Sequence, residues 1–234
     1  FALDALAKGC AYAVVDDAEV AAKDPRCLFV DDVLSTLQEL AAHHRRVLDT
    51  PVLQITGTNG KTTTKELVAA VLGEKFNVLY TEGNLNNHIG VPLTLLRLRP
   101  EHDFAVIETG ANHPGEIAQL SKIVQPNCGL ITNVGKAHLE GFGSFEGVVK
   151  TKTELYRYLA QRNTELTETL ITGETRFKPD AVPYFVSVNG DNELLTPHVA
   201  ECGLPSLSYG SPGHDYTIEG EVLECAPFLT LRWR

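Results

Sequence analysis

The chain contains no methionine, a single tryptophan, and aromatic residues at only 7% of its 234 positions. No apolar run approaches the roughly 18 residues that a membrane-spanning helix needs, so the sequence reads as soluble, without membrane insertion. Basic clusters are missing as well. Lys and Arg number 20 against 30 Asp and Glu, a formal net charge of -10, which argues against nucleic acid as the main partner because phosphate-backbone binding needs a positive surface. The five cysteines, Cys10, Cys27, Cys128, Cys202 and Cys225, form no Cys-x-x-Cys pair and no zinc-like grouping. Their odd number and wide spacing fit reduced thiols in a cytosol, behaving as small apolar side chains. No repeat or low-complexity segment interrupts the chain.

What is present is a globular composition, 43% hydrophobic, long enough for one large domain or a domain plus a piece of another. The start at Phe1 and the strand-like ending Leu229-Thr230-Leu231-Arg232-Trp233-Arg234 lead us to expect that native sequence lies beyond both ends.

The most informative stretch is Ile55-Thr56-Gly57-Thr58-Asn59-Gly60-Lys61-Thr62-Thr63-Thr64. It joins an apolar run to a helical pattern and reads as strand, phosphate loop and helix. Two glycines allow a tight turn with inward-pointing amides, and the helix that follows adds the positive end of its dipole. Lys61 supplies a point charge for the outer phosphates of a nucleotide, and Thr62 offers a hydroxyl to the accompanying magnesium ion. The loop is a shorter variant of the general phosphate loop, with Ile55 where a first glycine usually stands. In the helix, Thr64, Leu67, Val68, Val71 and Leu72 share one face, which we expect to be the packed one, with Lys65, Glu66 and Glu74 elsewhere.

Residues 1–49 carry short strands at 11–15 and 27–30 and a helix opened by Asp31 or Asp32, the pattern of the last part of a small α/β domain. Asp49-Thr50-Pro51 marks the expected boundary, since proline ends one pattern and a fresh strand follows. From residue 52 strands and helices alternate: strands at 52–55, 78–80, 104–108 and 128–133, with helices to residue 75 and at 91–96, 115–123 and 145–159. Nearly continuous apolar strands such as Phe104-Ala105-Val106-Ile107 predict an α/β fold, a mostly parallel sheet of the P-loop type covered by helices on both faces. Beyond residue 159 we expect an irregular insertion at 164–183, a strand at 184–188 and two alternating strands over 216–233.

In such sheets ligands lie at the carboxyl ends of strands. Glu108 ends a strand there and can ligate magnesium. His138 follows the strand at 128–133 through Val134-Gly135-Lys136-Ala137, which brings it to the same edge and, beside Glu108 and Thr62, to a metal or phosphate role. Lys152 falls in the apolar stripe Phe145, Val148, Val149, Leu155, Tyr156 and Leu159. There it must lose its proton, find an anion, react with carbon dioxide to form a carbamate that would ligate magnesium, or snorkel to water. Lys150 lies off the stripe and reads as solvated. Two asparagine-rich loops, Gly83-Asn84-Leu85-Asn86-Asn87-His88 and Asn189-Gly190-Asp191-Asn192, follow strands and offer either turn chemistry or amides for a substrate or a base.

These residues closely resemble the ATP-dependent Mur ligases of peptidoglycan synthesis. The phosphate loop is similar throughout that family. Thr64-Lys65-Glu66, the loop from Gly83 through Asn87-His88-Ile89-Gly90-Val91-Pro92-Leu93-Thr94, Gly110-Ala111-Asn112-His113-Pro114-Gly115-Glu116-Ile117 and Ala137-His138-Leu139-Glu140-Gly141-Phe142-Gly143-Ser144 resemble its MurF type. The resemblance implies a three-domain enzyme, of which residues 1–49 are the end of a UDP-sugar-binding domain and residues 50–234 a C-terminally truncated ATP-binding domain, the third domain being absent. It further implies ligation of D-alanyl-D-alanine to UDP-N-acetylmuramoyl-tripeptide through an acyl phosphate, by a monomer in the cytoplasm. By the same resemblance Gly57, Thr58, Asn59, Gly60, Lys61, Thr62 and Thr63 hold ATP, and Lys61, Lys152 and His138 are catalytic. Thr62 and Glu108 bind one magnesium ion, and His138 with carbamylated Lys152 a second. Asn189 lies near adenine, with Asn192 where the family often has an aspartate, and Asn84, Asn86, Asn87 and Asn112 meet substrate. Another amide ligase of the superfamily, tripeptide-forming or folate-polyglutamating, and a non-catalytic nucleotide-binding module are the competing readings.

Overall fold

The computed structural model describes residues 1–136, 139–172, 184–226 and 229–234; the side chains of Leu139 and of residues 166–172 are not described. The first part contains α1 (Ala2–Ala7), β1 (Ala13–Val15), α2 (Ala18–Ala21), β2 (Cys27–Phe29) and α3 (Val33–Leu48). Then come β3 (Val52–Thr56), α4 (Lys61–Gly73), β4 (Val78–Tyr80), α5 (Gly90–Leu95), β5 (Phe104–Glu108), α6 (Glu116–Val124) and β6 (Cys128–Ile131). The remainder is α7 (Leu139–Phe142), α8 (Phe145–Lys152), α9 (Glu154–Thr172), β7 (Phe185–Asn189), α10 (Thr196–Cys202), β8 (Ser206–Gly210), β9 (Ile218–Glu224) and β10 (Thr230–Trp233).

Eight strands form one sheet in the order β10-β9-β8-β7-β6-β3-β5-β4, parallel throughout except for the antiparallel β9–β10 pair. The chain leaves β3 for the β4 edge, returns through β5, and crosses β3 to reach β6. Beside β3 the winding therefore reverses, the place where such sheets open a ligand crevice. Every residue of β3 and of β6 is buried, as expected for strands covered on both sides. Leu53, Ile55 and Val106 face α4 with Val68 and Leu72. Val52, Ala105 and Ile107 face the opposite layer, with Ala41 of α3, Val91 and Leu95 of α5, and Leu120 of α6. A third cluster joins α8, α9 and α10 to β6 and β7 through Val148, Leu155, Tyr156, Leu159, Val186 and Val199.

β1 and β2 form a separate parallel pair over a small core of Leu6, Val15 and Cys27. α3 starts where the sequence places it, with Asp32 accepting from the Ser35 amide at 2.5 Å, and ends at Asp49 in a left-handed conformation, φ 54°. It packs on the large sheet's helices. Arg45, 4% exposed, donates to the Gln125 carbonyl and to Asn127 Oδ1 at 3.1 and 3.0 Å.

Four local expectations are revised. On α4, Leu67 and Val71 are exposed, whereas Lys65 and Ala69 are buried; the packed face follows Lys61, Lys65, Val68, Ala69 and Leu72, the same helical period displaced by a residue. The helix expected over 145–159 is two, separated at Thr153, whose hydroxyl donates to the carbonyls of Val149 and Lys150. The segment expected to be irregular continues α9 as far as Thr172, and residues 173–183 lie outside the described residues. α10 and β8 were not anticipated, although Pro197 in the first turn and Gly203 in the left-handed conformation just past the last turn are helix-boundary signals.

Candidate active site

The phosphate loop joins β3 to α4 and is laced to the segment that follows β6. The Thr58 amide donates to the Asn133 carbonyl at 3.0 Å, and the Asn59 amide to Asn133 Oδ1 at 3.1 Å. Thr132 Oγ1 donates to the Asn59 carbonyl at 2.7 Å, and the Gly135 amide to Thr58 Oγ1 at 2.9 Å. Gly57 has φ +144° and is so close to Thr132 and Asn133 that a Cβ there would collide with them, while Gly60, φ +76°, starts α4 in open space. Both positions require backbone that L side chains rarely adopt.

Lys61 is half-buried, and its ammonium donates to the carbonyls of Gly57 and Thr58 at 3.0 and 3.1 Å. Burial draws it below the usual lysine value, with the Glu108 carboxylate opposing. Thr62, Thr63 and Asn59 are exposed at the rim.

Glu108 closes β5 on the same side as Val106, toward α4, and is 1% exposed. One carboxylate oxygen accepts from Asn86 Nδ2 at 2.8 Å. The other is buried with no hydrogen-bond partner. A buried anionic oxygen left bare is costly, and its position beside a phosphate loop fits a hard cation that takes oxygen ligands. Among the described residues no group of three or more His, Cys, Asp or Glu is arranged to hold a metal, so a cation at Glu108 would draw its other ligands from a hydroxyl such as that of Thr62, from phosphate or from water.

Lys61, Asn86, Asn112, Glu116, Phe142 and Lys152 all line one cleft of ≈ 440 Å³ together with Gly57 and Thr58. Lys152 ends α8 and is 3% exposed, its ammonium 5.7 Å from the centre of the Phe142 ring. Burial, reinforced by the Lys61 charge, lowers it to about 8 against the pull of Glu116 and Glu154. Lys150 is exposed, as the pattern requires. Glu116 accepts from the amides of Asn112 and His113 at 2.6 and 3.1 Å. Burial pushes its carboxyl up, but those donors and the His113 ring outweigh it and hold the group below its usual value.

The asparagines divide. Asn86 holds Glu108, and Asn112 lines the cleft. Asn87 also lines it, but its side-chain oxygen accepts from the amides of Ile89 and Gly90 and so holds the turn that leads into α5. Asn84 is exposed and does not line the cleft. Asn189 ends β7, where its side chain accepts from the Asp191 amide at 3.0 Å, and is likewise not part of the cleft lining. His138 lies outside the described residues. Sequence reasoning missed Thr132, Asn133 and Glu116; the first two follow a buried strand at the same edge, which was the available signal.

Residues 55–172 match the family model described as the Mur ligase middle domain. Over 134 residues the chain is 52% identical to a protein of Escherichia coli (strain K12) named "UDP-N-acetylmuramoyl-tripeptide--D-alanyl-D-alanine ligase", covering 57% of this chain and 30% of that one. The Haemophilus influenzae protein of the same name is 38% identical over 236 residues, 96% of this chain and 49% of its own. The crystal structure of MurF ligase from Thermotoga maritima in complex with ADP superposes with a TM-score of 0.74 at 29% identity, covering 93% of this chain and 45% of that one. The chain thus spans half or less of the length of these relatives.

Proposed function

The chain belongs to the Mur ligase family, and from that premise we propose that it is the ATP-binding part of a MurF-type enzyme joining D-alanyl-D-alanine to UDP-N-acetylmuramoyl-tripeptide. The observation that carries this reading is a phosphate-loop lysine that lines a cleft with Asn86, whose amide holds a buried carboxylate, Glu108, with its second oxygen left without a partner. That is a site for a nucleotide together with its cation. In domain terms, residues 1–49 end the UDP-sugar-binding domain and residues 50–234 belong to the ATP-binding domain, on whose helices α3 of the first stretch packs. The enzyme acts in the cytoplasm as a monomer.

The reaction passes the γ-phosphoryl group of ATP to the peptide carboxylate, releasing ADP. The dipeptide amine then attacks the acyl phosphate carbonyl, an amide bond forms, and phosphate leaves with the C–O bond that breaks. Carboxylate and triphosphate repel each other, so the protein's task is placement and charge. The amides of Gly60 and Lys61 at the α4 N-terminus cradle phosphate oxygens, while those of Thr58 and Asn59 are held by Asn133. The Lys61 ammonium exchanges the Gly57 and Thr58 carbonyls for phosphate. Magnesium, held by Thr62 and Glu108, would neutralise charge on the transferring group. The buried Lys152 amine, when neutral, can add to carbon dioxide to give a carbamate and release a proton; with His138 it would hold a second magnesium ion. Asn86 keeps Glu108 oriented, and Asn112 meets the acceptor peptide. Asn189 would reach adenine.

Trapping tests the reading. With ATP and UDP-N-acetylmuramoyl-tripeptide but hydroxylamine in place of the dipeptide, the full-length protein should form a hydroxamate, and its Lys61→Ala variant should form none. Hydroxamate from the variant at the parental rate would refute the assignment of the loop.

A further inference from the structure

Lys65 has no place in that chemistry, yet its side chain is fully buried, 0% exposed. A buried ammonium must be matched by acceptors. Its Nζ donates to the Thr81 carbonyl at 2.6 Å, lies 2.8 Å from Glu66 Oε1, and sits 5.6 Å from the centre of the Tyr80 ring. Volume alone does not explain the choice, because a methionine would pack against the sheet without desolvating a charge.

The identity of the acceptor is the informative point. Thr81 is the residue just past β4; its amide continues the ladder to the Val106 carbonyl at 3.1 Å. Its hydroxyl accepts from the amide of Glu108 at 2.9 Å. One residue therefore receives the Lys65 ammonium on its main chain and holds Glu108 with its side chain. Lys65 itself is one turn into α4, on the same face as Lys61 and just after Thr62. The two oxygen donors assigned to one magnesium ion, Thr62 on α4 and Glu108 on β5, are thus tied together through Lys65 and Thr81.

We propose that Lys65 is a positioning residue: through Thr81 it fixes Glu108 relative to the start of α4, so that the Thr62 hydroxyl and the Glu108 carboxylate stand ready for a single divalent cation. This rests on the reading of Glu108 as a magnesium ligand. It predicts that loss of Lys65 weakens the use of the metal more than it weakens the fold.

The test is the Mg2+ concentration giving half-maximal binding of a fluorescently labelled ATP to the full-length protein, measured for the parent, Lys65→Met, Thr81→Val, Thr81→Ser and Glu108→Gln. Partners behind a metal ligand typically change metal affinity by about 10- to 100-fold, and a rise in that range is expected for Lys65→Met and Thr81→Val. Thr81→Ser keeps the hydroxyl and should stay near the parent. The double variant Lys65→Met/Thr81→Val should be little worse than the poorer single one, since both break the same link. Should Lys65→Met fail to fold, Thr81→Val decides, because it spares the carbonyl that Lys65 grips and removes only the bond to Glu108. An unchanged Mg2+ midpoint in Thr81→Val beside a shifted one in Glu108→Gln would overturn the inference alone. An unchanged midpoint in Glu108→Gln would overturn the metal reading and the inference with it.

Discussion

Lys152, at the end of α8, and Glu108, at the end of β5, are both buried charged side chains. Glu108 keeps one oxygen on Asn86 and none on the other, a cost to folding that makes sense if a cation supplies the missing partner. The Lys152 amine titrates near 8 in the folded protein, against 10.5 as the ordinary value. Between those two values the unfolded chain holds the proton and the folded chain has released it, so stability rises as pH goes up through that window. Lys152→Met removes the titration. In buffers free of carbon dioxide, the stability gap between parent and variant in urea should be widest at about pH 7, where the parent carries a desolvated charge, and should close toward about pH 10. A gap independent of pH would mean that the ammonium reaches water. With labelled bicarbonate added, a carbamate carbon signal should grow as pH passes about 8 and be absent from the variant.

At the scale of elements, the loop between β3 and α4 uses its two glycines differently. Gly60 needs only the positive φ, so Gly60→Ala should cost about 1 kcal/mol. Gly57 needs both the backbone and the space taken by Thr132 and Asn133, and Gly57→Ala should cost about 3 kcal/mol or more. Chemical denaturation of the two variants checks this; equal losses would mean that the lacing between the loop and the β6 segment is loose. The same elements show what the sequence could and could not reveal. β3, β5 and β6 were legible because buried parallel strands are written in nearly continuous apolar residues, with Gln54 the interruption in β3. The face of α4 was misread because polarity was taken as the guide: Lys65 was placed off the packed face, and its acceptor, Thr81, lies 16 residues away just past β4, which no periodicity reports. Lys152 was legible because a lysine within an apolar stripe contradicts its surroundings. Asn86 was placed at the right loop, but its bond to Glu108 was not anticipated; such a pairing depends on the register of two strand ends. The break at Thr153 hangs on a hydroxyl turning back to its own helix, a local choice that apolar spacing does not record.

At the scale of the molecule, α3 connects the small β1–β2 unit to the large sheet but packs with the latter. Ala41 and Ala42 are buried there, and Arg45 binds Gln125 and Asn127. Asn127 in turn accepts from the Val52 amide at 3.0 Å. A version of the chain starting at residue 50 should therefore be less stable than one starting at residue 31, by on the order of 3 kcal/mol from lost apolar burial alone. Equal stabilities would put the boundary at residue 49 in energy as well as in sequence.

On the proposed reading the cleft couples ATP to a carboxylate and an amine. The direct measurement is ADP release by the full-length protein with UDP-N-acetylmuramoyl-tripeptide present and D-alanyl-D-alanine added or withheld. Sustained release that requires both substrates is the predicted result. Release independent of both, or none from folded protein, would contradict it and point to another ligase substrate or to a nucleotide-binding module.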